Sequence, residues 1–317
     1  MEGINNLGAT CAINSLIQII CRCDKLRNFI LNVNIPNDTF TYEFKEILDL
    51  MYNQNKSINP VKFLNYFYKT FKGIFNKNEE IDINELWFYF YEKINEETSY
   101  PILINNDIND INDIYQEHDK KISIFNNNKE SELTKLVQGS YINIIQCSFC
   151  NNKTYSFEPF ISIPLDINDN KNSIIDLIVD YMKNEYREKD GWKCEKCNCN
   201  HPYIITRRIW KIPKILFICL NRFNDINKKN NTNILINDTI IFNKGSIISN
   251  NEDYKYNLQG VGLHYGDLSC GHYTALCNMK NGLYNLYNDD KVNIIKKEEL
   301  LPDFKSVNAY LIVYEKD

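Results

Sequence analysis

The sequence predicts an α+β fold, with helices first and strands later, and two observations point there. Apolar residues recur at helical spacing over the first hundred positions. From about Tyr141 onward the texture changes to short β-branched and aromatic runs separated by Gly, Pro and Asn. Two Cys-x-x-Cys pairs fall within that second part. The chain has 317 residues, 44% of them hydrophobic and 13% aromatic, enough to bury a substantial core and to exclude disorder throughout.

The first predicted helix follows Thr10, with Ile13, Leu16, Ile17 and Ile20 on one face. A second carries Phe44, Ile47, Leu48 and Met51, and a third carries Leu86, Phe90 and Ile94 among Trp87, Tyr89 and Tyr91. Strands are expected at Tyr141 to Ile145, Ile161 to Leu165, Ile215 to Leu220 and Leu258 to Leu263. Three more follow at Tyr273 to Cys277, Leu283 to Tyr287 and Ala309 to Tyr314. The Asn-rich tracts at Asn105 to Asn128 and Asn224 to Asp238 read as tolerant surface loops, and no internal repeat is present.

A formal net charge of -5 and a pI near 5.6 argue against a nucleic-acid partner held through phosphates and suit a basic or neutral protein partner better. The start lacks the basic residues and long apolar run of a secretory signal. The longest apolar stretches, Leu16 to Ile20 and Ile215 to Leu220, are too short to span a bilayer. Eleven cysteines are an odd count, and the two Cys-x-x-Cys pairs read as metal ligands in a reducing compartment. The cytosol or nucleus is the expected location, and a monomer the expected state.

Cys11 lies where the first helix should start. A thiol there faces unpaired backbone N–H groups and the positive end of the helix dipole, which favours thiolate over thiol. The same N–H groups suit a developing oxyanion, and Asn6, five residues upstream, is placed to add its amide. Of the four histidines, His118 falls in an Asn/Asp-rich loop, His201 beside a cysteine cluster and His264 one strand earlier. His272 enters a strand directly after Gly271, so its backbone is rigid while its ring stays at the cleft; it is the candidate base. Two neighbouring strands joined by a turn at Met279 to Gly282 would bring Asn288 level with His272, where an amide fixes the ring's tautomer without adding charge. Asp289 is the alternative, to orient the ring or the attacking water.

Cys147 and Cys150, with Cys194 and Cys197, form two knuckles about 43 residues apart that can close on one tetrahedral Zn²⁺. The separation exceeds that of a compact zinc ribbon. With four thiolates committed, such a site is structural rather than catalytic, although Cys199 or His201 stands ready to replace a member of the second pair.

These residues resemble the ubiquitin-specific protease family of deubiquitinases, over almost the entire chain from Gly3 to about Tyr314. The cysteine box runs from Gly3 through Cys11 to Gln18, and Asp82 to Trp87 is a weakened second box. Leu136 to Gly139 precedes the first knuckle; Ile212 to Leu216 and Asn221-Arg222-Phe223 follow the second. Tyr256 to Val261, His264-Tyr265-Gly266 and the histidine box Gly271-His272-Tyr273 complete the family's order.

The resemblance implies a papain-like cysteine protease fold. Thumb helices (about 1–135) would carry Cys11, zinc-binding β fingers (about 140–210) would follow, and an antiparallel palm sheet (about 211–317, with part of the fingers) would carry His272 and Asn288. It also implies that Asn6 is the oxyanion residue, that Asn288 fills the third triad place with Asp289 at the following acidic position, and that the loop Tyr265 to Cys270 flanks a channel for the ubiquitin tail. Ala12 departs from the aromatic usual after the nucleophile, and Asn221 from a common basic residue. A chain that begins at the cysteine box and stops at the final strand reads as a catalytic domain without targeting modules. The expected activity is thiol-dependent hydrolysis at the C-terminal glycine of ubiquitin, with ubiquitin or ubiquitinated proteins as partners and structural Zn²⁺ as cofactor. The rival readings are an inactive ubiquitin-binding module, a protease for a ubiquitin-like modifier, and a zinc-dependent nucleic-acid binder, for which Arg207, Arg208 and Lys211 supply only a modest basic patch.

Overall fold

The computed structural model describes residues 2–53, 57–102, 114–168, 171–188, 191–223, 228–267, 270–300 and 304–317. Its first part is helical: α1 (Cys11–Arg22), α2 (Asp24–Asn32), α3 (Phe40–Asn53), α4 (Val61–Thr70) and α5 (Ile83–Thr98). A two-residue strand β1 (Tyr100–Pro101), α6 (Ile114–Phe125), β2 (Lys129–Glu130) and α7 (Glu132–Val137) follow. Next come β3 (Gly139–Cys147), β4 (Lys153–Phe160), β5 (Ile163–Asp166), α8 (Ile174–Tyr181), β6 (Glu185–Arg187) and β7 (Tyr203–Lys211). The remainder is β8 (Ile215–Asn221), β9 (Ile234–Leu235), β10 (Thr239–Phe242), β11 (Tyr254–Asp267), β12 (Cys270–Asn278), β13 (Leu283–Asn288), β14 (Lys291–Lys296), α9 (Lys297–Leu300), β15 (Lys305–Ser306) and β16 (Ala309–Lys316).

Among the described residues two larger sheets hold all of these strands except β1 and β2, which pair with each other, and β9 and β15, which likewise form a separate pair. The larger, in the palm position, runs β14-β13-β12-β11-β16-β8-β5 with β10 added on β11, and only β5 on β8 is parallel. The smaller, in the finger position, runs β4-β3-β7-β6 and is antiparallel throughout. The α+β expectation therefore holds, with β5 lying in the large sheet although its residues fall within the finger range.

Every residue of α1 is buried, because the helix lies between the large sheet and the other thumb helices. Its predicted apolar face, Ile13, Leu16, Ile17 and Ile20, sits in the same cluster as Ala275 and Cys277 of β12 and Leu311 and Val313 of β16. Aromatic rings knit the outer helices: Phe40 meets Phe44, Phe63, Phe71 and Phe90 at centroid distances of 5.0–6.2 Å. Trp87 of α5 stacks on Phe217 of β8 at 3.9 Å and donates its indole N–H to Ile161 O, tying thumb to palm. Strands alternate their side chains between faces, so the opposite side of the large sheet forms a second cluster around Ile218, Leu220, Tyr256, Leu258 and Ile312.

All seven expected strands are present; the sequence reading missed β4, β6, β7, β10 and β14 and the two-residue strands β1, β2, β9 and β15. In β7 the Arg207-Arg208 pair interrupts the apolar alternation, and in β4 the polar or exposed positions outnumber the buried Phe157 and Phe160. The tract at 105–128 is corrected in part: residues 114–125 form α6 rather than a loop, while 103–113, and 224–227 of the second tract, lie outside the described residues. His118, expected in a loop, is buried on α6 between Phe157 and Trp210, with Ser140 Oγ 2.9 Å from its Nε2.

Candidate active site and cysteine cluster

The chain enters the site as an extended segment. Ile4 pairs with Ile58, and the Ile4 N–H donates to Asp289 O at 2.9 Å, so residues 3–5 lie between the segment leading into α4 and the residue that follows β13. Gly8 and Ala9 then take left-handed backbone conformations, φ 101° and 46°, which turn the chain into α1. Thr10 caps this turn from within: its hydroxyl accepts from Leu7 N and donates to Asn6 Oδ1. The first α1 bond runs from Asn14 N to Thr10 O, which makes Cys11 the first helical residue and leaves its own N–H without an intrahelical partner.

Cys11 is nearly buried, and its thiol receives backbone N–H groups from Tyr273 of β12 and from Ala12. The Tyr273 contact sets the sulfur beside the strand position that follows His272. Burial nevertheless pushes the thiol above its ordinary value, outweighing those two donors, and the charges of Asp289 and Glu80 push the same way. Burial thus opposes the thiolate that the helix start was expected to favour.

His272 Nε2 lies 2.7 Å from Asn288 Oδ1. A carbonyl oxygen only accepts, so Nε2 carries the proton and Nδ1 is left as the basic nitrogen. The geometry is diagonal rather than level. Strands β12 and β13 pair as far as Ala275 with Tyr287, so Asn288 continues opposite the Thr274 position and reaches two residues along to the ring. The turn at 279–282 lies where expected, closed by Met279 N on Leu283 O at 2.9 Å.

Asp289 is placed differently from its expected role. Its backbone is left-handed, φ 53°, and its carboxylate accepts the amide of Asn14 at Oδ1 (2.8 Å) and of Asn6 at Oδ2 (3.0 Å). Asn6 Oδ1 is also held, by Gly8 N at 3.0 Å, Thr10 N at 3.4 Å and the Thr10 hydroxyl. The orientation of the Asn6 side chain is thus over-determined, with one amide hydrogen spent on Asp289. Asn14 received no role from the sequence, yet the signal existed: it is a polar residue three positions after Cys11, on the same face of the helix.

The other histidines stand apart from the thiol. His264 is buried against Phe223, Tyr273 and Tyr310, and His201 stacks on Phe149 at 4.6 Å.

At the far end of the smaller sheet, Cys147, Cys150, Cys194 and Cys197 bring their sulfurs within 4.8 Å of one another. The Cys147–Cys197 and Cys150–Cys194 separations are 4.0 and 3.5 Å, close to the roughly 3.8 Å edge of a tetrahedron with metal–sulfur bonds of about 2.3 Å. The four cysteines are therefore positioned to hold a metal ion. Cys199 is exposed and neither it nor His201 joins the cluster.

A thiol at a helix start, set by the backbone of the strand that carries an amide-oriented imidazole, is an arrangement suited to a cysteine-type peptidase. The family model described as "Ubiquitin carboxyl-terminal hydrolase" matches residues 2–314, and the chain belongs to that family. It is accordingly a deubiquitinase catalytic domain of the ubiquitin-specific, cysteine type. The chain is 24% identical to ubiquitin carboxyl-terminal hydrolase 8 of Saccharomyces cerevisiae over 352 residues, covering 99% of this chain and 70% of that protein. It is 25% identical to ubiquitin carboxyl-terminal hydrolase 4 of the same species over 371 residues, but spans only 39% of that protein's length. In fold it is similar to a SAGA deubiquitinating module containing Ubp8, Sgf11, Sus1 and Sgf73 bound to monoubiquitin, with a TM-score of 0.77 and 22% identity over 100% of this chain and 69% of that one. The same module bound to ubiquitin aldehyde gives 0.76 at 22% identity, over 100% of this chain and 70% of that one.

Proposed function

We propose that Cys11, His272 and Asn288, with Asn6 as oxyanion donor, hydrolyse the bond at the C-terminal glycine of ubiquitin. His272 Nδ1 takes the Cys11 proton, and the thiolate sulfur attacks the glycine carbonyl carbon, so that its π electrons move to oxygen. The Cys11 backbone N–H and the remaining amide hydrogen of Asn6 receive that oxyanion. As the C–N bond breaks, the imidazolium returns its proton to the leaving lysine amine. Water, deprotonated by the same nitrogen, then cleaves the thioester and regenerates the thiol. The observation that carries this reading is the 2.7 Å contact of His272 with Asn288 one residue before the strand N–H that meets the Cys11 sulfur.

Ubiquitin as the bound protein is supported by the relatives solved with it. Zn²⁺ in the four-cysteine cluster is supported by the all-thiolate donor set, which selects a soft ion and leaves no coordination position for a substrate. Cys147, Cys150, Cys194 and Cys197 would hold the ion, which would cross-link the β3–β4 turn to the segment before β7. A reducing location, cytosol or nucleus, is supported by eleven cysteines without a disulfide. Among the described residues no helix is long and apolar enough to cross a membrane. Action as a single copy is supported by all the proposed catalytic groups lying on one chain; light scattering of the free domain checks it.

The test is a panel of ubiquitin and ubiquitin-like proteins ending in a thiol-reactive electrophile. Ubiquitin should label Cys11, and the Cys11→Ala variant should bind ubiquitin without labelling or turnover. Labelling by a ubiquitin-like protein alone would move the activity to that modifier, and binding without labelling would make the domain an inactive ubiquitin binder.

A further inference from the structure

Strand β13 pairs with β12 only from Ala275 onward, so among the described residues the edge of β12 ahead of that point has no strand neighbour on this side. Two thumb groups take its place. The Tyr273 N–H meets the Cys11 sulfur, and the Gly271 N–H is shared between both carboxylate oxygens of Glu80, at 2.9 and 2.7 Å. Residues two apart on a strand point their N–H groups the same way, about 6.8 Å apart. Glu80 and Cys11 therefore dock side by side on one strand edge, with His272 between the two anchoring residues.

The Glu80 end of this clasp is rigid. Two residues on, Asp82 caps α5 by accepting Asn84 N and Glu85 N, each at 2.8 Å, and receives the Tyr310 hydroxyl from β16. The Gly271 end is equally confined: a Cβ there would stand 2.1 Å from His264 Nε2, so the strand already rests on that buried ring. No ion pair among the described residues engages Glu80, although its side chain is exposed and free to choose water.

We propose that Glu80 is a positioning residue for the thiol–imidazole pair, holding the start of the His272 strand against the thumb edge of the cleft. The proposal rests on the assignment of Cys11 and His272 given above. Glu80 acts through backbone, without touching the reacting atoms, and its charge faces Cys11 along with Asp289 and the Tyr273 hydroxyl, with His272 next along the strand.

The experiment compares Glu80→Ala and Glu80→Gln with the unaltered domain and with Cys11→Ala, using a fluorogenic amide of the ubiquitin C-terminus and alkylation of Cys11 by iodoacetamide across pH. In Glu80→Ala, kcat should fall roughly tenfold, the scale of one lost charge-assisted hydrogen bond, with KM within about twofold. Glu80→Gln keeps an acceptor oxygen for Gly271 and should recover most of kcat. Its alkylation limb should move to lower pH, because a negative charge that disfavours the thiolate is gone. Unchanged kcat in Glu80→Ala, or a rise in KM alone, overturns the proposal. Inactivity of the unaltered domain, or turnover by Cys11→Ala, instead overturns the underlying assignment.

Discussion

Asn14 donates its amide to Asp289 Oδ1 at 2.8 Å while Asn6 donates to Oδ2 at 3.0 Å, so one carboxylate holds both the nucleophile's helix and the proposed oxyanion donor. Asp289 is thereby engaged at both oxygens, which bears on what it can replace.

Asn288→Ala should lower kcat by about 10²-fold, within the range of acid–base catalysis that depends on ring orientation, because Asp289 is not free to take over the imidazole. Asp289→Asn should also lower kcat, by releasing Asn6, but with a separate signature. Its charge raises the Cys11 thiol, so removing it should shift iodoacetamide alkylation of Cys11 to lower pH, whereas Asn288→Ala leaves that charge in place. Equal alkylation profiles for the two variants would contradict this division.

Gly3 touches the same corner from outside. A Cβ at Gly3 would lie 2.2 Å from Asp289 O and 2.5 Å from Asp290 Cα, both of them backbone. Gly3→Ala should therefore separate the entering segment from the β13–β14 turn, destabilising the domain by about 1–3 kcal/mol in urea titration. Turnover of the ubiquitin amide should drop with it; a variant with native midpoint and native kcat would refute the close packing.

Metal analysis of the domain purified under reducing conditions should give about one zinc per chain, and Cys194→Ser should bring it near zero. Removal of the ion should expose the Cys147–Cys150 and Cys194–Cys197 turns to proteolysis. Hydrogen exchange in α1 should change little, since α1 is buried in a cluster built by the thumb and palm.

His264 supplies a pH prediction. Burial first, and the Lys229 ammonium second, lower its imidazole from the ordinary 6.5 to about 4. Between those values the unfolded chain binds a proton that the folded one refuses, so the contribution of neutral His264 is full above pH 6.5. It is lost as pH falls toward about 4, below which the slope from this group vanishes. Urea midpoints measured over that interval should fall with pH, and His264→Phe, which keeps a ring against Phe223, Tyr273 and Tyr310, should flatten the fall.

Much of this was legible before any coordinates. The periodicity of Ile13, Leu16, Ile17 and Ile20 announced α1 because burial against a sheet demands a continuous apolar face. The spacing of the cysteine pairs announced the cluster because knuckle geometry is local. The polar helix α6 was hidden in an Asn-rich tract, and β7 was hidden by Arg207 and Arg208. Arg207 spans Tyr141 and Tyr181 and Arg208 donates to Asn184, contacts that only the neighbouring strands and α8 create.

By itself the sequence determined the chemistry on offer: a cysteine at a helix start, a histidine after a glycine, an Asn-Asp pair sixteen residues later and four thiols at metal-binding spacing. Only the tertiary structure decided how those groups are shared out. It gave the imidazole to Asn288, gave Asp289 to two amides 275 and 283 positions away, and set burial above two backbone donors at the Cys11 thiol. The reason is that a side chain's functional groups are fixed by its type. Its partners and its solvation are fixed by where long-range strand and helix packing leaves it, and that is a property of the closed chain.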